Sequence, residues 1–295
     1  ASTPATALAD RDARLIGDKP VLWRELRQTA LGGGVRTLIA FGIGIAILMV
    51  LYLTVGMDHP GLTITLLLIT AVALTAQASL STPAAVAAER DAGSWSVLLT
   101  TPIKPGQIVL GKTLGSIRKL WLAPAVLVFH LILAMASGWY HPIGSLHAMM
   151  LMLGLVFMLS STGVCLGLVC RRGVVASVLN LCLPLTLFLG LPVLVGLLIE
   201  FQFYNYYRER SEAWGAVLMV SNPFLMLQEA STTATGEWER FNFFLRYEML
   251  NSERTLGPAT FTGLVAACTA GMIALGGAAL TVAIAGFNRW TGRPG

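Results

Sequence analysis

Residues 143–169 read IGSLHAMMLMLGLVFMLSSTGVCLGLV, twenty-seven positions without a lysine, arginine, aspartate or glutamate. A hydrocarbon core about 30 Å thick takes roughly 20 apolar helical residues to cross, so this stretch can span a bilayer with room to tilt. Working outward, five more stretches share its character: Thr37–Gly56, Gly61–Leu80, Leu120–Gly138, Val174–Leu198 and Phe261–Phe287. One ionised side chain at the centre of such a helix would cost about 2.5–3.5 kcal/mol, and none of the six carries one. The chain as a whole is 55% hydrophobic and 12% charged, against about 25% charged in an ordinary soluble domain. No soluble core of this size hides that much apolar surface. The predicted fold is an all-α integral membrane protein with six transmembrane helices.

Lysine and arginine set the orientation. With the N-terminus in the cytoplasm, fifteen of the twenty basic residues fall on that side: six before the first span, five between Glu89 and Lys119, then Arg171, Arg172, Arg289 and Arg293. The excess of positive charge in cytoplasmic segments therefore predicts that both termini are cytoplasmic. The net charge of +5 calls for anionic headgroups, not nucleic acid, as its partner. The expected organisation is a tail at 1–36, a six-span domain at 37–287 and a second tail at 288–295. The six-span domain would include a cytoplasmic loop at 89–119 and an extracytoplasmic segment at 200–257. The first residue is Ala1, compatible with a processed start or with excision from a longer chain. No apolar signal region precedes the first span.

Within the spans, Ala266, Ala270, Ala274 and Ala278 recur every fourth residue, a spacing that keeps small side chains on one helix face and permits close packing. Pro124, Pro184 and Pro192 are expected to kink or open spans three and five. The four cysteines lie in or beside apolar runs with no C-x-x-C pair, so they read as packing residues. No metal-binding pattern occurs. His130 reads either as a relay or as a histidine bonded to a neighbouring helix. Gln77, Asn180 and Ser160–Thr162 read as interhelical hydrogen-bonding groups.

Outside the spans, Pro20–Leu31 reads PVLWRELRQTAL. Leu22, Trp23, Leu26 and Ala30 share a helix face, while Arg24, Arg27 and Gln28 lie elsewhere on the wheel; Trp23, Arg24, Glu25 and Arg27 are the candidate residues of this helix, and Pro20 can open it. A short basic helix bearing a tryptophan before a span suits the membrane interface. The loop reads ERDAGSWSVLLTTPIKPGQIVLGKTLGSIRK over Glu89–Lys119. Trp95, Leu98 and Leu99 form an i, i+3, i+4 ridge. Glu89 and Asp91 suit the start of a short helix, Pro102 stops it, and Pro105 precedes a second helix leading into span three. An apolar ridge in that position wants a partner surface.

Beyond the membrane, Ala213–Leu227 is apolar but broken at Asn222–Pro223, and reads as re-entrant or interfacial. Ser231–Gly236 is expected to turn, and Glu237–Asn251 to form an amphipathic helix.

The segment ERDAGSWSVLLTTPIKPGQIVLGK resembles the first cytoplasmic loop of type 2 ATP-binding-cassette exporter permeases, and PVLWREL resembles their elbow helix. Six spans, and interfacial helices between spans five and six, match the same layout. The resemblance implies that Glu89–Pro102 is a coupling helix docking on a separate ATPase subunit. On that reading Glu89, Arg90 and Asp91 make rim contacts, Gly93 permits close approach, Leu98 and Leu99 fill the apolar part, and Ser94 and Pro102 belong to the same coupling segment. Trp95 either docks with them or anchors at the headgroups. The resemblance further implies a second permease copy or half, a place in the inner (cytoplasmic) membrane, and ATP bound on the partner with no cofactor on this chain. Gly106, Gly111, Lys112 and Thr113 do satisfy G-x-x-x-x-G-K-[ST]. That loop, however, needs a nucleotide-binding fold that about 30 residues between spans cannot house, so ATP binding here is not expected. An ion-coupled transporter or a membrane scaffold is the alternative, but the spans lack the buried charges of the first and a scaffold leaves the loop unexplained.

Overall fold

The computed structural model describes residues 20–27, 34–56, 59–93, 95, 99–100, 102–138, 140–203, 221–234 and 258–292. Among the described residues the elements are all helical: α1 (Pro20–Arg27), α2 (Gly34–Val55), α3 (Pro60–Asp91), α4 (Pro105–Lys119), α5 (Leu122–Ala136), α6 (Pro142–Val169), α7 (Gly173–Leu185), a π-helical turn (Thr186–Gly190), α8 (Leu191–Phe203), α9 (Pro223–Ala234) and α10 (Pro258–Thr291). Five stretches are long and apolar enough to cross a membrane: α2, α3, α6, α10 and the run from α7 into α8. Counted as one broken span, the pair α4–α5, bent by 52°, brings the number to six.

The third crossing departs most from expectation. Leu120 and Trp121 form the break between α4 and α5 instead of opening the span, and Pro124 sits in the first turn of α5. At about 1.5 Å per residue, the fifteen residues of α5 cover only about 22 Å. A proline near a helix start loses no internal hydrogen bond, so Pro124 marks the new start and does not kink an existing helix.

Helix α6 is the hub, with 67% of its most apolar window buried against 6% for α2. It receives α3 through glycines. A Cβ on Gly163 would lie 3.0 Å from Thr82 Cβ and 2.9 Å from Asn180 Nδ2, and one on Gly167 would lie 2.9 Å from Val86 Cβ. Gly173 at the start of α7 is equally tight, with Ala87 Cβ at 2.6 Å. Helix α10 packs on α6 through Phe261, Val265, Met272, Leu280 and Phe287, all buried, with Phe157 fitted over Gly276. The alanine stripe Ala266, Ala270, Ala274 and Ala278 is exposed on the opposite face. It does not make the contact within the chain that its spacing suggested. The larger side chains bury more apolar area, and they decide which face turns inward.

Polar side chains inside the bundle join helices. His130 Nδ1 lies 2.8 Å from the Tyr52 hydroxyl and its Nε2 3.0 Å from Thr63 Oγ1, tying α5 to α2 and α3. Asn180 accepts from Thr162 Oγ1 at 2.7 Å and donates to the Leu159 and Ser79 carbonyls. His147, not singled out from sequence, lies 3.0 Å from Thr262 Oγ1 and joins α6 to α10. Gln77, by contrast, is exposed.

The π-helical turn lies between Pro184 and Pro192, where carbonyls freed by the prolines widen the helix. Asn222 ties this turn to α9: its amide donates to the Phe188 carbonyl at 2.7 Å, and its Oδ1 accepts from Phe224 N at 3.0 Å as an N-cap. Helix α9 holds residues 223–227 of the apolar segment expected to be re-entrant, whose residues 213–220 lie outside the described residues; it runs through Ala234, so 231–234 is helical where a turn was expected. Its end rests on Gly144, and His141 N donates to the Ala234 carbonyl at 2.8 Å. The 237–251 helix expected from sequence lies outside the described residues.

Candidate functional site

Glu89, Arg90 and Asp91 close α3 and do not open a separate short helix. Helix α3 continues eleven residues past Leu80 because the segment to Asp91 is rich in alanine, the strongest helix former, and carries no glycine. The first break is Gly93, whose φ of +70° suits glycine best. It follows a short capping turn in which Ala92 N donates to Ala88 O and Gly93 N to Arg90 O. Trp95, Leu99 and Thr100 are helical again. Ser94 and Leu98 lie outside the described residues, as does the side chain of Arg27.

The three charged residues point three ways. Glu89 pairs with Arg24 on α1 and, at 2.5 Å, with Lys112 on α4. Arg90 reaches across to the end of α6, donating to the Gly167 and Cys170 carbonyls at 2.9 Å each. A cation there satisfies carbonyls that the helix leaves open and suits the negative end of its dipole. Asp91 is exposed, and so are Gly93 and Pro102.

Glu25 is the residue sequence reasoning placed least well. The buried face is not the one drawn through Leu22 and Trp23: Val21 and Glu25 turn onto α4, while Leu22 and Trp23 are half-buried, and the side chain of Leu26 lies outside the described residues. Glycines make this possible. A Cβ on Gly115 would lie 2.6 Å from Glu25 Cβ, and one on Gly111 3.1 Å from Val21 Cγ1. The signal was readable as G-K-T-L-G, a small-x-x-x-small pair. The carboxylate of Glu25 then meets Lys119 at 3.3 Å, Arg24 at 3.4 Å and Lys112 at 3.5 Å. Burial alone would raise its pKa; the cations Lys112, Lys119 and Arg24 outweigh that and hold it below the ordinary value.

Lys112 therefore sits mid-helix between two carboxylates, 5% exposed. Its ammonium also stands 6.0 Å from the ring centre of Trp95. Trp95 faces the body of the protein, buried with its ring 6.2 Å from Phe287 on α10, and Leu99 packs on the same cluster. The G-x-x-x-x-G-K-T pattern thus lies along α4, with no strand before it among the described residues and its lysine already paired. No group of side chains suited to a metal ion occurs among the described residues.

A bundle of five to six apolar helices long enough to cross a membrane, with a charged joint at one end binding the short helix α1 to two of them, is the architecture of a multi-pass membrane protein. The profile of ABC-2 family transporter proteins matches residues 44–289, most of the chain, and the protein belongs to that family. It is the membrane permease of an ABC transporter, a role that implies an ABC ATPase subunit as partner. No curated protein matches the chain.

Proposed function

We propose that the chain is the permease half of an exporter, coupling ATP hydrolysis on a separate subunit to movement of its spans. The observation that carries this reading is the position of Glu89, Arg90 and Asp91 on one helical turn. Glu89 grips α1 and α4, Arg90 grips the end of α6, and Asp91 faces outward. A load applied near Asp91 and Gly93 would reach four helices through ion pairs and carbonyl contacts, as a rigid-body motion. In this mechanism Asp91, Gly93, Ser94, Leu98 and Pro102 meet the ATPase. Glu89, Arg90 and Trp95 position that surface from behind.

ATP is held by the partner and this chain has no ATPase site, because Lys112 is committed to Glu25 and Glu89. A second permease copy or half completes the path, in the cytoplasmic membrane with both termini cytoplasmic. The test is to purify the chain with and without its ATPase subunit and to measure hydrolysis in lipid nanodiscs. Hydrolysis is expected only in the complex, and Asp91→Lys should lower it without dispersing the permease fold. Sustained hydrolysis by the isolated chain, abolished by Lys112→Ala, would overturn the division of labour.

A further inference from the structure

A cavity of about 360 Å³ lies in the angle of the bend between α4 and α5. Its floor is apolar: Leu74 of α3, Leu127 and Leu131 of α5, and Met152 of α6, all buried. At its rim stand Arg118 and Trp121, the last turn of α4 and the break itself. Arg118 is exposed and, among the described residues, is the only charged one lining the cavity. Among the described residues its guanidinium has no carboxylate partner; the nearby Glu25 and Glu89 are taken by Arg24, Lys112 and Lys119. Trp121 is 44% exposed and stacks on Phe41 of α2 with ring centres 6.5 Å apart. Basic and tryptophan side chains together are the usual residents of the headgroup level.

We propose that this slot holds an anionic membrane phospholipid, its phosphate on Arg118 and one acyl chain along Leu127 and Leu131. Two features argue for a lipid over a soluble molecule. The headgroup-type residues Arg118 and Trp121 stand at the start of α5, and the apolar floor runs from there along α5 through Leu127 to Leu131, the direction an acyl chain takes from the headgroup level. The walls, moreover, offer an apolar body and one cation, which is the division of a phospholipid into tail and headgroup. The lipid fills the wedge that the 52° bend leaves between α5 and α6, and so braces the joint between α4 and the third crossing.

The full chain, extracted in mild detergent from membranes containing both anionic and zwitterionic phospholipid, is examined by native mass spectrometry. One retained anionic lipid per chain is expected. Arg118→Gln should cut its retention about fivefold, the contribution of one basic residue near a membrane surface. Leu131→Trp, which fills the slot, should abolish retention, while Arg36→Gln on α2 should leave it unchanged. Folding of each variant is followed by its elution profile and helical circular dichroism. Equal retention by folded wild type and Arg118→Gln would overturn the proposal, as would equal retention of zwitterionic lipid. A well-folded Leu131→Trp variant that loses self-association but keeps its lipid would overturn it too, since the slot would then be a contact between copies.

Discussion

Glu25 and Lys112, eighty-seven positions apart, meet at 3.5 Å with each side chain 5% exposed, and Lys112 reaches Glu89 on its other side. Removing the central cation leaves two carboxylates facing each other, one of them buried. Breaking a buried pair from one side costs about 3–5 kcal/mol. Lys112→Met is therefore expected to destabilise the protein by roughly 3 kcal/mol, read as a lower unfolding temperature in detergent. Combining it with Glu25→Gln should recover part of that loss, because paired groups do not act additively. Additive losses would mean that the two side chains are not coupled.

The same carboxylate predicts a pH dependence. Its folded-state pKa is depressed below the ordinary 4.5, so the native state holds Glu25 ionised where the unfolded chain would begin to protonate. The stabilisation is complete above about pH 4.5 and is lost as pH falls through the lower folded value. Hydrogen-exchange protection of a peptide covering residues 20–27, corrected for the intrinsic pH dependence of exchange, should thus hold from neutral pH down to about 4.5 and fall below it. Glu25→Gln should remove that step. An unchanged profile in the variant would assign the acid transition to another group.

Gly115 sets how near α1 comes to α4. A methyl there would lie 2.6 Å from Glu25 Cβ, on backbone-anchored atoms that cannot rotate away. Gly115→Ala is expected to push α1 off and cost about 1–3 kcal/mol, the usual range for overpacking. Gly271→Ala, where nothing lies within 4 Å, should be neutral or slightly stabilising, since alanine is the better helix former. Thermal unfolding of both variants in one detergent makes the comparison. Equal effects would mean that the glycine matters only for helix propensity.

Sequence reading caught the crossings because lipid imposes one blunt rule, a long run without charge, and that rule survives without knowledge of neighbours. Glu25 shows where it fails. A helical wheel ranks faces by hydrophobicity, and no local signal says that a carboxylate will turn inward toward cations more than eighty residues away. Arg90 was legible as a charge, but not as a cap on α6, because that contact depends on α3 continuing past Leu80. The alanines of α10 were legible as small and spaced by four. The spacing says that close approach is possible on that face, not that anything approaches, and Gly163 and Gly167 on α6 do the close packing instead. For the candidate site, the resemblance located the segment, and the structure divided it into residues that face out and residues that hold them.

Asn222 offers a test at the other end of the bundle. One amide bridges the π-helical turn, through the Phe188 carbonyl at 2.7 Å, and the start of α9, through Phe224 N at 3.0 Å. Asn222→Ala removes an N-cap worth about 1 kcal/mol and frees a carbonyl beside a segment already widened by Pro184 and Pro192. Asn222→Asp keeps the cap acceptor but cannot donate to Phe188. Hydrogen exchange should therefore rise at 223–228 in the alanine variant, and at 187–192 in both. If the aspartate variant leaves 187–192 as slow as in the wild type, the amide caps α9 alone, and the turn is held by packing against Phe224, whose ring meets that of Phe188 edge-on at 6.1 Å.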